Sequence, residues 1–199
     1  MSRVIVLGAA GRTGQLIVEE VARAGHHVTA AARRAEGMVH ADVRDEASLR
    51  SAIAGHDVVV SAIGPPGRRS GNLYSDGARA TVAAMRATGV RRYLALSSVG
   101  VRPDDPHAAW WYRYLLRPIA ADLYADMHRM EEIVRATELD WTFVRPSHLR
   151  DHPPTGTYRV TDNATPPGGR RITRTDLARF IAAELTEHRW SRRAPSLAE

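Results

Sequence analysis

The sequence contains no cysteine and no lysine, and each absence excludes a class of chemistry. Without cysteine the chain can form no disulfide, no thiolate metal site and no cysteine nucleophile. Without lysine it has no side-chain amine for a Schiff base, and it cannot use a tyrosine–lysine pair in acid–base catalysis. All 28 residues counted as Lys+Arg are therefore arginines.

Long apolar runs are absent as well. No stretch approaches the roughly 20 apolar residues that a membrane-spanning helix needs. The chain passes from Met1 straight into an apolar strand, without the charged start and small-residue cleavage pattern of a secretion signal. We therefore expect a cytoplasmic protein with no membrane contact, and its 199 residues suffice for one domain.

The formal net charge of +6 raises nucleic acid as a candidate partner. The arginines, however, are spread from Arg3 to Arg193 and are not gathered in one stripe. This distribution predicts scattered surface charge and no nucleic-acid interface. Such a surface can still speed the encounter with a polyanion such as a dinucleotide.

Short apolar runs alternate with helical patterns, which is typical of a parallel sheet covered on both faces. The patterns predict strands at 4–7, 27–32, 38–41, 57–63, 92–97 and 141–145. They predict helices at about 14–24, 46–54, 73–88 and 121–137, and a last helix capped by Thr175 and Asp176. A small hairpin is expected around 158–160. The predicted fold is α/β, a Rossmann-type doubly wound parallel sheet in a single domain.

Three glycines mark a candidate phosphate-binding loop. Gly8, Gly11 and Gly14 directly follow a predicted strand and open a predicted helix, which is the context that a dinucleotide-binding fingerprint requires. In such a loop the first glycine permits a tight turn, the second lets the backbone approach the pyrophosphate, and the third allows close helix packing. The helix N-terminus then presents free N–H groups to the phosphates.

The residues after the second strand indicate which dinucleotide binds. NAD-selective domains place an acidic residue there to hold the ribose 2′-hydroxyl. This chain has Arg33 and Arg34 instead, with Arg12 inside the glycine loop, and guanidinium groups suit a 2′-phosphate. The pattern predicts NADP(H), with NAD(H) as the less favoured cofactor. Asp42 either accepts a hydrogen bond from the adenine amino group or caps a helix, and the sequence leaves both open.

Several segments together resemble a known family. The glycine loop, Asp42-Val43, residues 57–64, residues 74–79 and Ser97-Ser98 resemble the NmrA-like group of atypical short-chain dehydrogenase/reductases. Residues 139–149 and 154–160 are similar to the sixth strand and the following loop of the biliverdin-IXβ reductase/flavin reductase type. The resemblance covers nearly the whole chain, apart from roughly 102–121 and the final segment.

The resemblance implies roles for residues at the carboxyl ends of the strands. By it, the pyrophosphate is held by Gly8, Gly11, Arg12, Thr13 and Gly14, and the 2′-phosphate by Arg33. Ile63 and Gly64 lie along the ribose, and Ser97 and Ser98 flank the nicotinamide. Val43 is also assigned to the cofactor site. Pro146 and His148 close over that end.

The chain departs from the family in its acid–base residues. Typical short-chain dehydrogenases place a lysine four residues after the catalytic tyrosine, but here Tyr124 is followed by His128 on the same helical face. A histidine there can relay a proton or lie on the helix surface. The flavin reductase type has a histidine one position earlier, where this chain has Met127. The catalytic candidates are Ser98, Tyr124, His128 and His148, with a structural hydrogen bond as the alternative for His148.

Two segments are candidate substrate-binding elements, at about 102–120 and 146–172. The first contains Trp110, Trp111, Tyr112 and Tyr114, which either cover a sheet edge or subunit contact or line a pocket for a flat substrate.

The favoured function is NADPH-dependent hydride transfer to a small planar conjugated acceptor, such as a flavin, a quinone or a tetrapyrrole-like molecule. The alternatives are an NmrA-like regulator that senses NADP(H) without turnover, and a ketoreductase or epimerase that uses Ser98, Tyr124 and His128. We expect no metal, and an oligomer is compatible with the sequence.

Overall fold

A computed structural model of the chain describes residues 1–34, 36–65, 67, 69–107, 114–115 and 117–199. Its strands are β1 (Arg3–Leu7), β2 (His27–Ala32), β3 (Val39–His40), β4 (Val58–Ser61), β5 (Arg92–Leu96), β6 (Asp140–Pro146), β7 (His148–Arg150), β8 (Arg159–Asp162), β9 (Arg171–Thr173) and β10 (Pro195–Ala198). Its α-helices are α1 (Arg12–Arg23), α2 (Glu46–Ile53), α3 (Leu73–Thr88), α4 (Ala121–Arg135) and α5 (Arg174–Glu187). Short 3-10 turns cover Val99–Val101 and Arg117–Ala120.

Eight strands form one sheet in the order β3-β2-β1-β4-β5-β6-β10-β8. All neighbours are parallel except β10 and β8, which are antiparallel. The first six positions have the strand order of a doubly wound dinucleotide-binding sheet. The predicted fold class is therefore confirmed, and ligands of such sheets bind at the carboxyl ends of the strands. Strands β7 and β9 pair separately in parallel.

Alternating side chains of the sheet enter two apolar layers. Ile5 and Leu7 of β1 face the layer formed with α2, α3 and α4. Val4 and Val6 face the layer formed with α1 and α5. Burial on both faces explains why the central strands read as unbroken apolar runs. Among the described helices, none is both long and apolar enough to cross a membrane.

Two sequence-based expectations about the last third of the chain are wrong. The last helix begins at Arg174, because Thr173 is its N-cap: the Thr173 hydroxyl accepts from the N–H of Asp176 and donates to the Asp176 carboxylate. Residues around 158–160 form no local hairpin, since β8 pairs with the distant β10. Strands β7, β9 and β10 had no counterpart in the sequence analysis.

Candidate functional site

Two of the three loop glycines are required by the packing of the chain itself. Gly8 has a positive φ of 79°, and a Cβ atom there would lie 2.8 Å from the carbonyl oxygen of Ala62. A Cβ atom at Gly14 would lie 2.3 Å from the carbonyl oxygen of Gly8. Neither backbone oxygen can move away without a large energetic cost, so both positions tolerate only glycine.

Gly11 is different, because nothing nearby in the chain demands it. Its φ is −76°, and an added Cβ atom would meet only the Gly8 carbonyl oxygen, at 3.4 Å. Gly11 is also the N-cap of α1, and no described side chain caps this helix end. The first N–H groups of a helix have no partner within it. An open backbone surface beside free N–H groups fits the pyrophosphate of a dinucleotide.

The two arginines that follow β2 are available for an anion. Arg33 and Arg34 are exposed at the carboxyl end of β2, next to β1 in the sheet. The backbone of Arg33 is contacted by His40, whose ring Nδ1 lies 3.0 Å from the Arg33 carbonyl oxygen. The site therefore offers guanidinium groups where a 2′-phosphate is expected.

Asp42 is not the cap of α2, because Asp45 occupies that position and accepts from the N–H of Ala47 at 3.0 Å. One carboxylate oxygen of Asp42 accepts from the N–H of Arg44, which closes a local turn. Asp42 is half-buried, and its second oxygen is not used by the described residues in any hydrogen bond.

A close-packed wall follows the ends of β3 and β4. A Cβ atom at Gly77 of α3 would lie 3.2 Å from Ile63 Cδ1 and 3.6 Å from Val43 Cβ. Val43 and Ile63 are therefore brought together by a glycine on α3, as the cofactor-site prediction requires. Gly64 is exposed beside them, and a Cβ atom there would lie 3.7 Å from the Tyr74 hydroxyl oxygen.

The two serines after β5 have different roles. The Ser97 hydroxyl is buried and donates to Glu131 Oε1 at 2.7 Å. Ser98 is half-buried, and its hydroxyl oxygen accepts from the N–H of Gly100 at 3.2 Å. Accepting one bond leaves the Ser98 proton free to be donated. Ser98 is thus the serine that can serve a ligand, while Ser97 belongs to the support beneath it.

That support is a buried charge cluster that the sequence analysis did not find. Arg145 of β6 donates from Nε to Glu131 at 2.9 Å and pairs with the same carboxylate through a second nitrogen. Its remaining terminal nitrogen donates to Asn163 at 2.7 Å. Arg145 and Glu131 are both buried. Since Ser97, Glu131 and Arg145 satisfy one another, the cluster fixes the carboxyl ends of β5 and β6.

Pro146 and His148 end β6 and begin β7, next to this cluster. Pro146 is buried, whereas His148 is exposed and donates its backbone N–H to the Arg170 carbonyl oxygen at 3.3 Å. Between them, the Ser147 hydroxyl is buried and finds no hydrogen-bond partner in the part of the chain that the structure describes.

Tyr124 and His128 lie on one face of α4, as the spacing predicts. Tyr124 is half-buried and packs against the apolar layer of α2, α3 and α4. His128 is exposed, with Nδ1 3.4 Å from the Glu132 carboxylate. His128 also lines a cavity of 310 Å³, together with Glu131 and Arg145.

Arg12 makes a contact that the sequence does not indicate. One of its terminal nitrogens lies 2.5 Å from Asp151 Oδ2, and Arg174 lies 2.5 Å from Asp151 Oδ1. The Arg12–Asp151 ion pair joins the glycine loop to the segment that follows β7. Trp110, Trp111 and Tyr112 lie outside the described residues, and Tyr114 is exposed.

Buried carboxylates anchor both candidate substrate-binding segments. Asp105 accepts from the N–H and hydroxyl of Thr165 at 2.9 and 2.6 Å. Burial alone would raise the pKa of Asp105, but the hydrogen bonds from Thr165 and His107 outweigh it and hold that pKa below its usual value. Asp176 likewise accepts from the N–H groups of Thr155 and Gly156, which ties the loop after β7 to α5.

Comparison with known proteins agrees with this geometry. Residues 8–188 match the NAD(P)H-binding family. The chain is 24% identical over 213 residues to the "Uncharacterized sugar epimerase YhfK" of Bacillus subtilis, a match that covers 99% of this chain and 94% of that protein.

Two solved structures share the fold over the whole chain. The "Putative NAD-dependent epimerase/dehydratase" from Bacillus halodurans has a TM-score of 0.81 and 25% identity, with 100% of this chain and 94% of that chain covered. The "putative NADH-flavin reductase" from Streptococcus pneumoniae has a TM-score of 0.81 and 22% identity, with 100% of both chains covered.

Proposed function

Because the chain belongs to the NAD(P)H-binding family, we propose that it is an NADPH-dependent reductase that transfers hydride to a small planar conjugated acceptor. Within that family we place it near the NmrA-like flavin reductase type. The acceptor would be a flavin, a quinone or a tetrapyrrole-like molecule. The reaction consumes NADPH, the acceptor and one proton, and it yields NADP⁺ and the acceptor reduced by two electrons.

The observation that carries the proposal is the open surface at Gly11. Packing within the chain explains Gly8 and Gly14 but not Gly11, and space for a bound pyrophosphate would explain its missing side chain. The uncapped N-terminus of α1 begins at the same residue. Arg33 and Arg34 then favour the cofactor that carries a 2′-phosphate, because two guanidinium groups can bind it and no carboxylate occurs between β2 and Glu36.

The other residues of the site would orient the cofactor and exclude water. Val43 and Ile63 form the wall beside the ribose, and the Glu131–Arg145 cluster holds the ends of β5 and β6 in place. A bound nicotinamide supplies the hydride to the acceptor. Ser98 would donate its hydroxyl proton in a hydrogen bond at the nicotinamide end of the site, and the exposed His148 is a candidate proton donor at the same end.

A ketoreductase or epimerase is the second candidate, favoured by the name of the Bacillus subtilis relative and by the shared face of Tyr124 and His128. A ketone becomes an alkoxide that must be protonated, whereas a conjugated acceptor needs less acid help. The chain has no lysine to lower the pKa of a catalytic tyrosine. This absence favours the first candidate.

The test compares NADPH oxidation with one flavin and one aliphatic ketone in the wild type and three variants. Tyr124→Phe and His128→Ala should each keep most of the flavin reduction. Ser98→Ala should lose more, within the roughly 10²–10⁴-fold that one positioned proton donor contributes. Ser51→Ala removes an exposed hydroxyl on α2 and is the matched control.

The opposite pattern would contradict the proposal. A wild type that prefers the ketone, together with nearly complete loss of activity in Tyr124→Phe, would establish the second candidate instead.

A further inference from the structure

One carboxylate holds two guanidinium groups beside the glycine loop. Asp151 contacts Arg12 through Oδ2 and Arg174 through Oδ1, each at 2.5 Å, and we name this arrangement the Asp151 bridge. Arg12 is the first residue of α1, and Arg174 is the first residue of α5. Their guanidinium groups are thus held within a few ångströms of each other, across a single carboxylate.

The packing of α1 against α5 makes this proximity a property of the fold. The two helices contact each other along the same face of the sheet. Further along, Arg179 of α5 lies 3.5 Å from Glu20 of α1, so both helices run in the same direction from the carboxyl edge. The packing of α5 against α1 therefore also places Arg174, the first residue of α5, beside the N-terminus of α1.

Arg174 has an unused donor. Its side chain is only 15% exposed, and its Nε is buried without a hydrogen-bond partner among the described residues. A buried guanidinium N–H without an acceptor is costly. Such a donor is more readily explained by a ligand oxygen than by folding stability.

We infer that Arg174 is a cofactor-binding residue that forms, with Arg12, a subsite for the pyrophosphate, and that Asp151 competes with the pyrophosphate for both guanidinium groups. The inference rests on the proposed function and extends it, because the sequence gives no indication of Arg174 or Asp151.

The location distinguishes this subsite from the 2′-phosphate site. Arg33 and Arg34 follow β2, which lies on one side of β1 in the sheet. Arg174 pairs with Asp151, which follows β6 and β7, and β6 lies on the other side of β1. Arg174 is therefore on the pyrophosphate and nicotinamide side of the glycine loop, away from the adenosine 2′-position.

The charges also favour exchange of ligands at the bridge. Asp151 and Arg12 are 53% and 73% exposed, and exposed ion pairs contribute little stability. A pyrophosphate carries more negative charge than one carboxylate and can additionally accept from the free N–H groups of α1. Both arginines would therefore exchange Asp151 for the phosphates.

The experiment titrates three probes by calorimetry: NADPH, ADP and 2′-AMP. ADP has a pyrophosphate but no 2′-phosphate, whereas 2′-AMP has a 2′-phosphate but no pyrophosphate. Arg174→Met should weaken the binding of ADP and of NADPH by about tenfold or more, as expected for the loss of a charged hydrogen-bond donor. Asp151→Asn should tighten both by about two- to fivefold, the range that an exposed ion pair spans. Neither variant should change 2′-AMP binding.

Matched controls separate local effects from net charge. Arg179→Met removes one arginine from the same helix, about 7.5 Å further along its axis. Asp162→Asn removes one exposed carboxylate on the distant β8. Both controls should leave ADP affinity within about twofold, and melting temperatures check that each variant is folded.

Other results would overturn the inference. Unchanged ADP affinity in Arg174→Met would show that this residue does not contact the cofactor, and weaker ADP binding in Asp151→Asn would show that the bridge supports binding. An equal loss of 2′-AMP in Arg174→Met would place the residue at the other phosphate. A wild type that binds none of the probes would overturn the proposed function and the inference together, whereas normal wild-type binding limits the failure to the inference.

Discussion

The region around the glycine loop and the region beyond β5 hold their shapes in different ways. In the first, backbone contacts decide the structure: Gly8 and Gly14 allow the chain to touch itself where no side chain fits. In the second, buried carboxylates decide it, since Glu131, Asp105 and Asp176 each gather several donors from distant segments.

The two regions can therefore serve different purposes: the glycine loop can bind a cofactor, and the segments beyond β5 can bind a substrate. A backbone-built loop depends on a few glycines and recognises a phosphate through main-chain N–H groups. A segment anchored by one buried carboxylate can vary in length and sequence around that anchor, provided that the anchor keeps its partners. We therefore expect substitutions in the two regions to fail in different ways.

The largest effect is expected within the glycine loop, where two neighbouring glycines should separate binding from folding. Gly11→Val should abolish NADPH binding and leave the melting temperature nearly unchanged, because the branched side chain would fill the open surface and touch little else. Gly14→Val should prevent folding, because its Cβ atom would collide with the Gly8 carbonyl oxygen. Calorimetric titration and thermal melting measure both. A Gly11→Val protein that binds NADPH normally would show that the cofactor lies elsewhere.

The second effect tests the buried charges beyond β5. Glu131→Ala leaves Arg145 buried without its carboxylate, which should lower the free energy of unfolding by about 3–5 kcal/mol. Glu132→Ala removes the neighbouring exposed carboxylate and should cost less than about 0.5 kcal/mol. Urea unfolding of the two variants gives the comparison. Equal losses would mean that the buried cluster does not support this region.

The third effect concerns cofactor choice. Arg33→Met should weaken NADPH by about 10–150-fold, the equivalent of one charge-assisted contact, and should leave NADH nearly unchanged. Arg86→Met, an exposed arginine on α3, is the control for the loss of one positive charge. Titration of both cofactors decides the outcome, and an equal loss for NADH would assign Arg33 a role other than 2′-phosphate binding.

The smallest expected effect is a pH dependence of stability at His26, which lies between α1 and β2. Burial, and then the charge of the N-terminal amino group, lower the pKa of His26. Its Nδ1 accepts from the N–H of Ser2, so protonation breaks a native hydrogen bond. Because the folded pKa is below the unfolded one, this stability is present above about pH 6.5 and is lost as the pH falls.

Unfolding at pH 7.5 and pH 5 measures that loss, and the free energy of unfolding should be lower at pH 5. His26→Asn should reduce the pH dependence, and His27→Asn, at the exposed neighbouring position, should not. An unchanged profile in His26→Asn would assign the pH dependence to other groups.

Local patterns were sufficient to predict most of the first region. The central strands are apolar on both faces, and Gly8, Gly11 and Gly14 lie within seven consecutive residues, so both patterns are local in the sequence. The last strand could not be predicted in this way. Residues 195–198 have no β-branched side chain and become β10 only through pairing with β6 and β8.

The supporting residues of the site could not be predicted for a related reason. Glu131 is 34 residues from Ser97, and Asp151 is 139 residues from Arg12. No periodicity links such pairs, since the sheet order alone brings them together. The roles of Ser98, Tyr124, His128 and His148 in catalysis stay predictions.

The most direct test of the whole account is a calorimetric titration of the wild-type protein with NADPH and with NADH. The account predicts saturable binding of one molecule, with NADPH bound about 10–150-fold more tightly than NADH because of the arginines that follow β2. Equal affinities would contradict the assigned role of those arginines, and no binding of either would contradict the assignment of Gly11 to a cofactor.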